Sequence, residues 1–350
     1  MMRPRAHAAP SPRSRLLCQL ASVLMLCMLC VAGAVQAQDT GSCTVTSAQA
    51  DLGTTGTLAL AQSPRQAAGS GGLACSALAL LSASYIKVRL ESSTFQLAHG
   101  GGGPSIPFTV LAQSTGPQIG QGQEFDFSAL NLLNLFSGPG GSLPLYIRTA
   151  PTPGLRAGTY TGTVNLRWYF SICTLGLGPV CAYSQSPGFV RPGLLTPINW
   201  GTGIPVTVNV VLRLENDCAI SAPPLDFGSA PLAGAFEPVV QQITVRCSAG
   251  AAYTVGIDDG QHFSAGWRRM RDDLAPTQFL RYALYKGAAS GERWGSVGAE
   301  RRSSAGAELN PGVHTGATAQ GFTYRALIDP TQPTPPPGVY RDTLRVDIRF

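Results

Sequence analysis

Residues 338–350 read Gly-Val-Tyr-Arg-Asp-Thr-Leu-Arg-Val-Asp-Ile-Arg-Phe, and from Leu344 onward apolar side chains alternate with charged ones. Such alternation is typical of a β-strand with one face in a core and the other in water. A related stretch lies 180 residues earlier: residues 158–172 read Gly-Thr-Tyr-Thr-Gly-Thr-Val-Asn-Leu-Arg-Trp-Tyr-Phe-Ser-Ile. The two stretches predict the same strand, used twice.

The openings of the two halves also match. Each half opens on a cysteine, continues with an Asp-(Leu or Phe)-Gly triplet and returns to a Cys-Ser-Ala triplet, at Cys43, 51–53 and 75–77 in the first half and at Cys218, 226–228 and 247–249 in the second. Matching features in the same order indicate one fold used twice. We therefore predict two domains, 38–214 and 215–350, after a signal peptide at 1–37.

Both halves have the pattern of β-proteins. Short alternating runs lie between clusters of glycine, proline and serine, at 85–90, 146–148, 239–245, 253–257, 282–285 and 322–328. The best candidate for a helix, 127–136, is short and is followed by Ser-Gly-Pro-Gly-Gly. We expect an all-β fold of two tandem immunoglobulin-like β-sandwiches.

The N-terminus predicts export. Residues 1–15 carry four arginines and no acidic residue, the run from Leu16 to Val35 is largely apolar, and small residues precede Gln38. This is the pattern of a secretory signal peptide cleaved near Ala37, although a run of this length also suits a membrane anchor. Without residues 1–37 the net charge falls from +6 to about +2, which does not favour a nucleic-acid partner.

Six cysteines follow the signal peptide, and an even number in an exported chain predicts disulfides. Of the fifteen possible pairings, the local ones are favoured: Cys43–Cys75, Cys173–Cys181 and Cys218–Cys247. After the signal peptide the sequence has no Cys-x-x-Cys motif, no histidines at metal-ligand spacing and no acid–base constellation of an active site. We expect no metal, no cofactor and no catalytic residue, and therefore no enzyme.

The two halves differ after their matching strand. In the first, that strand is followed by a loop and by another alternating run, with Val206, Val208, Val210, Leu212 and Leu214 on one face. In the second, the sequence ends at Phe350. We expect the C-terminal sandwich to lack its last strand and to offer an unpaired edge beside an apolar groove, which a partner's strand fills. The alternative left open by the spacing is that an earlier segment of the same chain closes it.

The paired cysteines, the Asp-(Leu or Phe)-Gly triplets and the Gly-x-Tyr-x-(Gly or Asp)-Thr strands resemble the spore coat protein U domain, which forms the subunits of archaic, Csu-type chaperone–usher pili. The resemblance is good over 215–350 and looser over 43–172. It implies three partners: a periplasmic chaperone, an outer-membrane usher and the N-terminal donor strand of the next pilin subunit. It also implies the residues of the groove and of the chaperone contact: Tyr340, Leu344, Val346, Ile348 and Phe350.

Two-domain subunits of that family resemble tip adhesins. Only five residues, 38–42, precede Cys43 after the predicted cleavage site, whereas a donor strand needs roughly ten. We therefore expect a subunit that accepts a strand without donating one. Such a subunit would be exported through the periplasm to the cell surface and would lie at the pilus tip.

The first domain is poor in charge, with 13 acidic and basic residues in 38–214 against 27 in 215–350. Its Gly- and Pro-rich loops are therefore the expected contact with an abiotic or host surface, in attachment and biofilm formation. One predicted apolar finger consists of Leu132, Leu133, Leu135 and Phe136. The other consists of Phe189, Val190, Leu194, Leu195 and Trp200. Burial in the core is the alternative for both sets.

Two other functions suit the same composition. A secreted carbohydrate-binding module would use aromatic platforms such as Trp168, Tyr169 and Trp200. A coat or matrix protein would assemble with copies of itself and would need no chaperone.

Overall fold

Alternating residues in the first half of the chain form eleven strands. The computed structural model describes residues 42–76, 83–130, 135–177 and 180–350. The strands of the first half are β1 (Cys43–Val45), β2 (Ala48–Gly56), β3 (Gln66–Cys75), β4 (Tyr85–Ser93), β5 (Gln96–His99), β6 (Ile106–Leu111), β7 (Glu124–Asp126), β8 (Ser142–Thr149), β9 (Gly158–Leu177), β10 (Val180–Gln185) and β11 (Ile204–Glu215). The helix α1 (Thr57–Gln62) and a 3-10 helix (Pro139–Gly141) lie between strands.

Strand β9 organises this half. The sheet runs in the order β1-β3-β8-β6-β5-β9-β11-β2, β4 and β10 also pair with β9, and β7 pairs with β4. The inward residues of β9, among them Val164, Leu166 and Trp168, are fully buried. They form the centre of an apolar core to which the surrounding strands contribute alternate residues.

The second half repeats this plan with shorter strands. They are β12 (Cys218–Ser221), β13 (Val239–Cys247), β14 (Thr254–Ile257), β15 (Arg268–Asp272), β16 (Phe279–Lys286), β17 (Arg302–Ser303), β18 (Gln320–Ile328), β19 (Tyr340–Arg341) and β20 (Val346–Arg349). Three 3-10 helices are interspersed, at Ala233–Ala235, Gly298–Glu300 and Ser304–Gly306. One sheet has the order β12-β13-β18-β16-β15-β19 and the other β17-β14-β20, around a core that includes Trp294 and Phe322.

Local geometry confirms that the two halves are repeats. The carboxylates of Asp51 and Asp226 each accept a 2.8 Å hydrogen bond from the backbone N–H two residues later. That residue is a glycine in both cases, and its φ is 77° or 72°, which favours glycine. The hydroxyls of Tyr160 and Tyr340 each donate to the carbonyl four residues earlier, at 3.1 and 2.7 Å. Tyrosines bonded in this way are a feature of immunoglobulin-like domains.

The structure confirms the predicted fold class of two immunoglobulin-like domains, and we call β1–β11 the first domain and β12–β20 the second. Five of the six predicted alternating runs lie within strands, and the sixth, 253–257, exceeds β14 by one residue. The three local disulfides are formed and join β1 to β3, β9 to β10 and β12 to β13.

Two stretches that the sequence analysis singled out are not fully covered by the described residues. Residues 127–130 of the helix candidate form a turn, Leu135 is helical, and 131–134 lie outside the described residues. The predicted signal peptide also lies outside them. In the part of the chain that the structure describes, no helix is long and apolar enough to cross a membrane.

Candidate functional site

Strand β11 completes the first domain. It runs antiparallel to β9 on one side and parallel to β2 on the other. Its inward residues are Val206, Val208, Val210, Leu212 and Leu214, and each is at most 6% exposed. The chain itself therefore supplies the strand that covers the apolar face of β9, as the sequence predicts.

The equivalent edge of the second domain is open. Strand β20 pairs antiparallel with β14 along its whole length. No strand pairs with its other edge among residues 42–76, 83–130, 135–177 and 180–350. Closure by an earlier segment of the chain, the alternative that the sequence left open, does not occur within these residues.

Burial differs accordingly between the two repeats. The residues of β9 that are equivalent to the predicted groove lie 180 positions earlier in the chain. Each of them is at most 1% exposed: Tyr160, Val164, Leu166, Trp168 and Phe170. Their counterparts Tyr340, Leu344, Val346 and Ile348 are only half-buried against the second core. Phe350 is 59% exposed. The second domain therefore leaves apolar surface uncovered where β11 covers the first.

The opposite wall of this opening is segment 222–228, which corresponds to β2 but forms no strand. Leu225 and Phe227 are half-buried there. Between the walls lies Tyr282, whose ring contacts Phe227 at 6.0 Å between centroids and whose hydroxyl donates to Asp342 at 2.7 Å. Burial, with the bond to Asp342, raises the pKa of Tyr282. We call the strip between these walls the open groove: Leu225, Phe227, Tyr340, Leu344, Val346 and Ile348.

A second candidate surface is the loop between β10 and β11. The backbone groups of Val190 and Asn199 form two hydrogen bonds, of 2.8 and 3.0 Å. A third bond, of 2.9 Å, closes a four-residue turn that begins at Gly193. The loop is therefore a hairpin, and its turn carries Leu194 and Leu195, which are 101% and 92% exposed. We call these two leucines the apolar tip.

Aromatic rings fill the base of this hairpin. Phe189 and Trp200 meet edge to face with centroids 5.4 Å apart, and both contact Tyr85 of β4. The ammonium of Lys87 lies 4.5 Å from the centre of the Trp200 ring. Contacts of this kind hold the loop against the body of the domain.

Arg191 adds polar contacts to the same base. One end of its guanidinium donates to the carbonyl of Ala83 at 2.7 Å and another to the hydroxyl of Ser171 at 2.8 Å. Its planar group also lies over the rings of Tyr183 and Tyr85, at 3.9 and 4.9 Å. The arginine thus joins the hairpin to β4, β9 and β10. Sequence reasoning missed it, because its partners are distant along the chain.

The residues predicted for this finger divide into two groups. Val190, Leu194 and Leu195 are exposed, and Trp200 is half-buried. Phe189 is only 8% exposed because its ring packs against Tyr85 and Trp200. The structure therefore assigns Phe189 to the support of the hairpin and corrects its placement among the surface contacts.

The other predicted finger, at 132–136, is described only in part, and the described part is half-buried. Leu132 and Leu133 lie outside the described residues. Leu135 and Phe136 are half-buried and pack against the first core, which is the alternative that the sequence left open for them.

The aromatic platform required of a sugar-binding module is largely buried. Trp168 is 0% exposed, and its indole N–H donates to the carbonyl of Gly71 at 2.7 Å. Tyr169 is 8% exposed. Within the described ranges, no three His, Cys, Asp or Glu side chains come together as they would to hold a metal ion.

The spore coat protein U domain model matches this sequence twice, over residues 30–167 and 204–347. The two matches cover most of the chain, and each contains the matching motifs of one repeat. The chain belongs to the spore coat protein U domain family. The family expected from the Cys, Asp-x-Gly and Gly-x-Tyr motifs is thereby confirmed.

Among solved structures, this spore coat protein U domain chain is similar to one in the CsuC–CsuE chaperone–tip adhesion subunit pre-assembly complex from archaic chaperone–usher Csu pili of Acinetobacter baumannii. The TM-score is 0.71 at 29% identity, over 88% of this chain and 100% of that chain. CfaE, the adhesive subunit of CFA/I fimbria of enterotoxigenic Escherichia coli, aligns over 87% of this chain and 93% of that chain, with 10% identity and a TM-score of only 0.29. No curated protein sequence matches the chain.

Proposed function

We propose that this protein is the tip subunit of a chaperone–usher surface pilus. The observation that carries the proposal is the difference between the two domains. The first is closed by its own strand β11, whereas β20 of the second has an unpaired edge beside the open groove in the described residues. A subunit of this form docks through its second domain and leaves the first free to bind.

The open groove accepts strands from two partners in turn. An unpaired edge and a half-covered apolar face favour association with an extended segment of another chain. A periplasmic chaperone fills the groove before assembly, and the N-terminal donor strand of the next pilin subunit replaces it at the outer-membrane usher. The similarity to a chain of a chaperone–tip adhesion subunit pre-assembly complex supports the chaperone step.

The apolar tip makes the contact with an abiotic or host surface. Leu194 and Leu195 project from a hairpin held by backbone hydrogen bonds and by a ring cluster, so little order is lost when they bind. Attachment of this kind needs no catalytic group, and it supports biofilm formation. The protein therefore acts at the cell surface by adhesion.

A double substitution of the apolar tip tests this function. Cells that assemble the pilus with Leu194→Ser and Leu195→Ser are expected to attach to polystyrene at least about tenfold less, because burial of two leucines contributes about 3 kcal/mol or more per copy. Attached cells are counted after washing, and surface display is measured with an antibody.

The matched control changes two exposed leucines of the second domain. Leu232 and Leu274 are 59% and 94% exposed, and the variant with Leu232→Ser and Leu274→Ser is expected to attach like the wild type. Normal attachment of the tip variant at equal display would contradict the adhesive role, and so would equal losses in both variants.

A further inference from the structure

One charged side chain interrupts the apolar row of the open groove. Asp342 stands between Tyr340 and Leu344, both of which pack against the second core. Its counterpart in the first domain is Gly162, where an added Cβ would lie 2.8 Å from the carbonyl oxygen of Gln96. The same position of the two repeats therefore holds a carboxylate in one domain and no side chain in the other.

The Asp342 carboxylate accepts three hydrogen bonds within its own domain. Oδ1 accepts from the backbone N–H groups of Gln261 and Thr343, at 3.0 and 2.8 Å. Oδ2 accepts from the hydroxyl of Tyr282 at 2.7 Å. A carboxylate offers about four acceptor sites, so three bonds do not use them all. Oδ2 also lies against the backbone of Gly260, where an added Cβ would meet it. Asp342 is nevertheless only half-buried, and a strand that covers the exposed part of its carboxylate removes that part from water.

Strand β11 indicates which residue of an incoming strand faces Asp342. In the first domain Gly162 lies directly opposite Val210. Side chains directly opposite each other in an antiparallel pair share a face, with Cβ atoms about 5 Å apart. For a strand docked in the same way, an apolar side chain at the position of Val210 would cover the exposed part of the Asp342 carboxylate without offering it a hydrogen bond, which is unfavourable.

We propose that the donor strand of the next pilin subunit carries a short hydroxyl side chain, serine or threonine, opposite Asp342, and that this pair fixes the register in which the donor strand docks in the open groove. The positions of the docked strand that face Tyr340 and Leu344 are apolar, as are Leu212 and Val208, which face the equivalent residues in the first domain. A slip by two residues would place the hydroxyl against an apolar side chain and an apolar side chain over the carboxylate. The inference rests on the proposed function and adds the chemistry of the partner strand.

A self-completed form of the full chain tests the proposal. A copy of residues 204–214 is attached behind Phe350 through a flexible linker, so that it can dock antiparallel to β20. Four versions of this fusion are compared, with valine, alanine, serine or threonine at the position of the copy that corresponds to Val210. Serine and threonine are expected to raise the thermal unfolding midpoint of the second domain by about 4 °C over valine and alanine, because only they offer Asp342 a hydrogen bond.

Groove variants provide the reciprocal measurement. With Asp342→Gly, which imitates the first domain, the valine copy is expected to become the most stable. Should that variant not fold, Asp342→Asn retains the shape of the side chain and is expected to reduce the preference for serine, since a neutral oxygen accepts a weaker hydrogen bond.

The outcomes separate this inference from the proposed function. A serine copy no more stable than the valine copy would overturn the inference, and so would a preference for serine unchanged in the groove variants. If no copy raises the midpoint above that of a chain carrying a scrambled copy, docking itself fails and the proposed function fails with it.

Discussion

At the residue scale, the position of a side chain in its repeat decides what it can do. Leu194 and Phe189 are both apolar and lie in one loop, yet the leucine is fully exposed and the ring is buried. The difference arises from Trp200, on the other arm of the same hairpin, and from Tyr85 of β4, which pack against the ring. Arg191 completes the same base. We therefore treat the base as the support of the apolar tip.

Replacement of Arg191 should loosen the hairpin and leave the domain folded. Arg191→Ala removes hydrogen bonds that a charged group donates, each worth about 1.5–3 kcal/mol. The amides of Val190 and Asn199 are then expected to exchange with deuterium at least about tenfold faster, with an unchanged midpoint for unfolding of the first domain. Amide exchange followed by mass spectrometry measures this.

The control for that experiment is Arg213→Ala. Arg213 pairs with Asp51 at 2.9 Å, and both side chains are largely exposed, so the pair contributes little to stability. Exchange in the hairpin should stay at the wild-type rate in this variant. If the Val190 amide exchanged at the same rate in the Arg191 variant and in the wild type, Arg191 would not support the apolar tip.

At the element scale, the decisive difference is the presence of β11 in one domain. Alternate residues of this strand enter the core, and the residues between them face outward. Since one strand lies between β9 and β2, its loss would expose the apolar faces of both. The open groove of the second domain is that exposed state in the present structure.

A charge on the inner face of β11 should therefore unfold the first domain. Val208 is 0% exposed, and an unpaired carboxylate at that site costs well over about 4 kcal/mol. Val208→Asp is expected to abolish accumulation of the folded protein in the periplasm, measured by protease resistance of extracts. Asn209→Asp, on the exposed face, should accumulate normally. A resistant Val208 variant would show that β11 is dispensable.

The strands and the repeat could be predicted from the sequence, whereas the tertiary contacts could not. The alternation in 158–172 and in 204–214 has a period of two, which a strand with one buried face imposes. The disulfide pairs could be predicted from the sequence because each joins neighbouring segments of its own domain.

Other features depend on which strands become neighbours. The ring contacts of Phe189 and the bonds of Arg191 form only after β4, β9 and β10 pair. The sequence also could not show whether an earlier segment closes the second domain. A β20 edge without a partner and one paired with an earlier segment require the same alternating residues in β20. The substitution of Gly162 by Asp342 between the repeats was visible in the sequence, but its hydrogen bonds to Tyr282 and Gln261 were not.

At the scale of the whole molecule, one fold occurs in two forms, one closed by β11 and one with an unpaired edge in the described residues. The first domain is complete and presents the apolar tip, whereas the second presents the open groove. The charge difference between the halves, 13 residues in 38–214 against 27 in 215–350, accompanies this division. In the proposed function, the first domain, which is poor in charge, binds a surface, and the more charged second domain docks to the pilus.

Amide exchange along β20, with and without the periplasmic chaperone, tests the central claim most directly. Without the chaperone, the outward amides of Val346–Arg349 should exchange quickly, because their edge has no strand partner in the described residues. In the complex they should exchange at least about tenfold more slowly, while β9 and β11 of the first domain stay unchanged. Slow exchange of these outward amides in the chain alone would show that the second domain closes itself and would contradict the account.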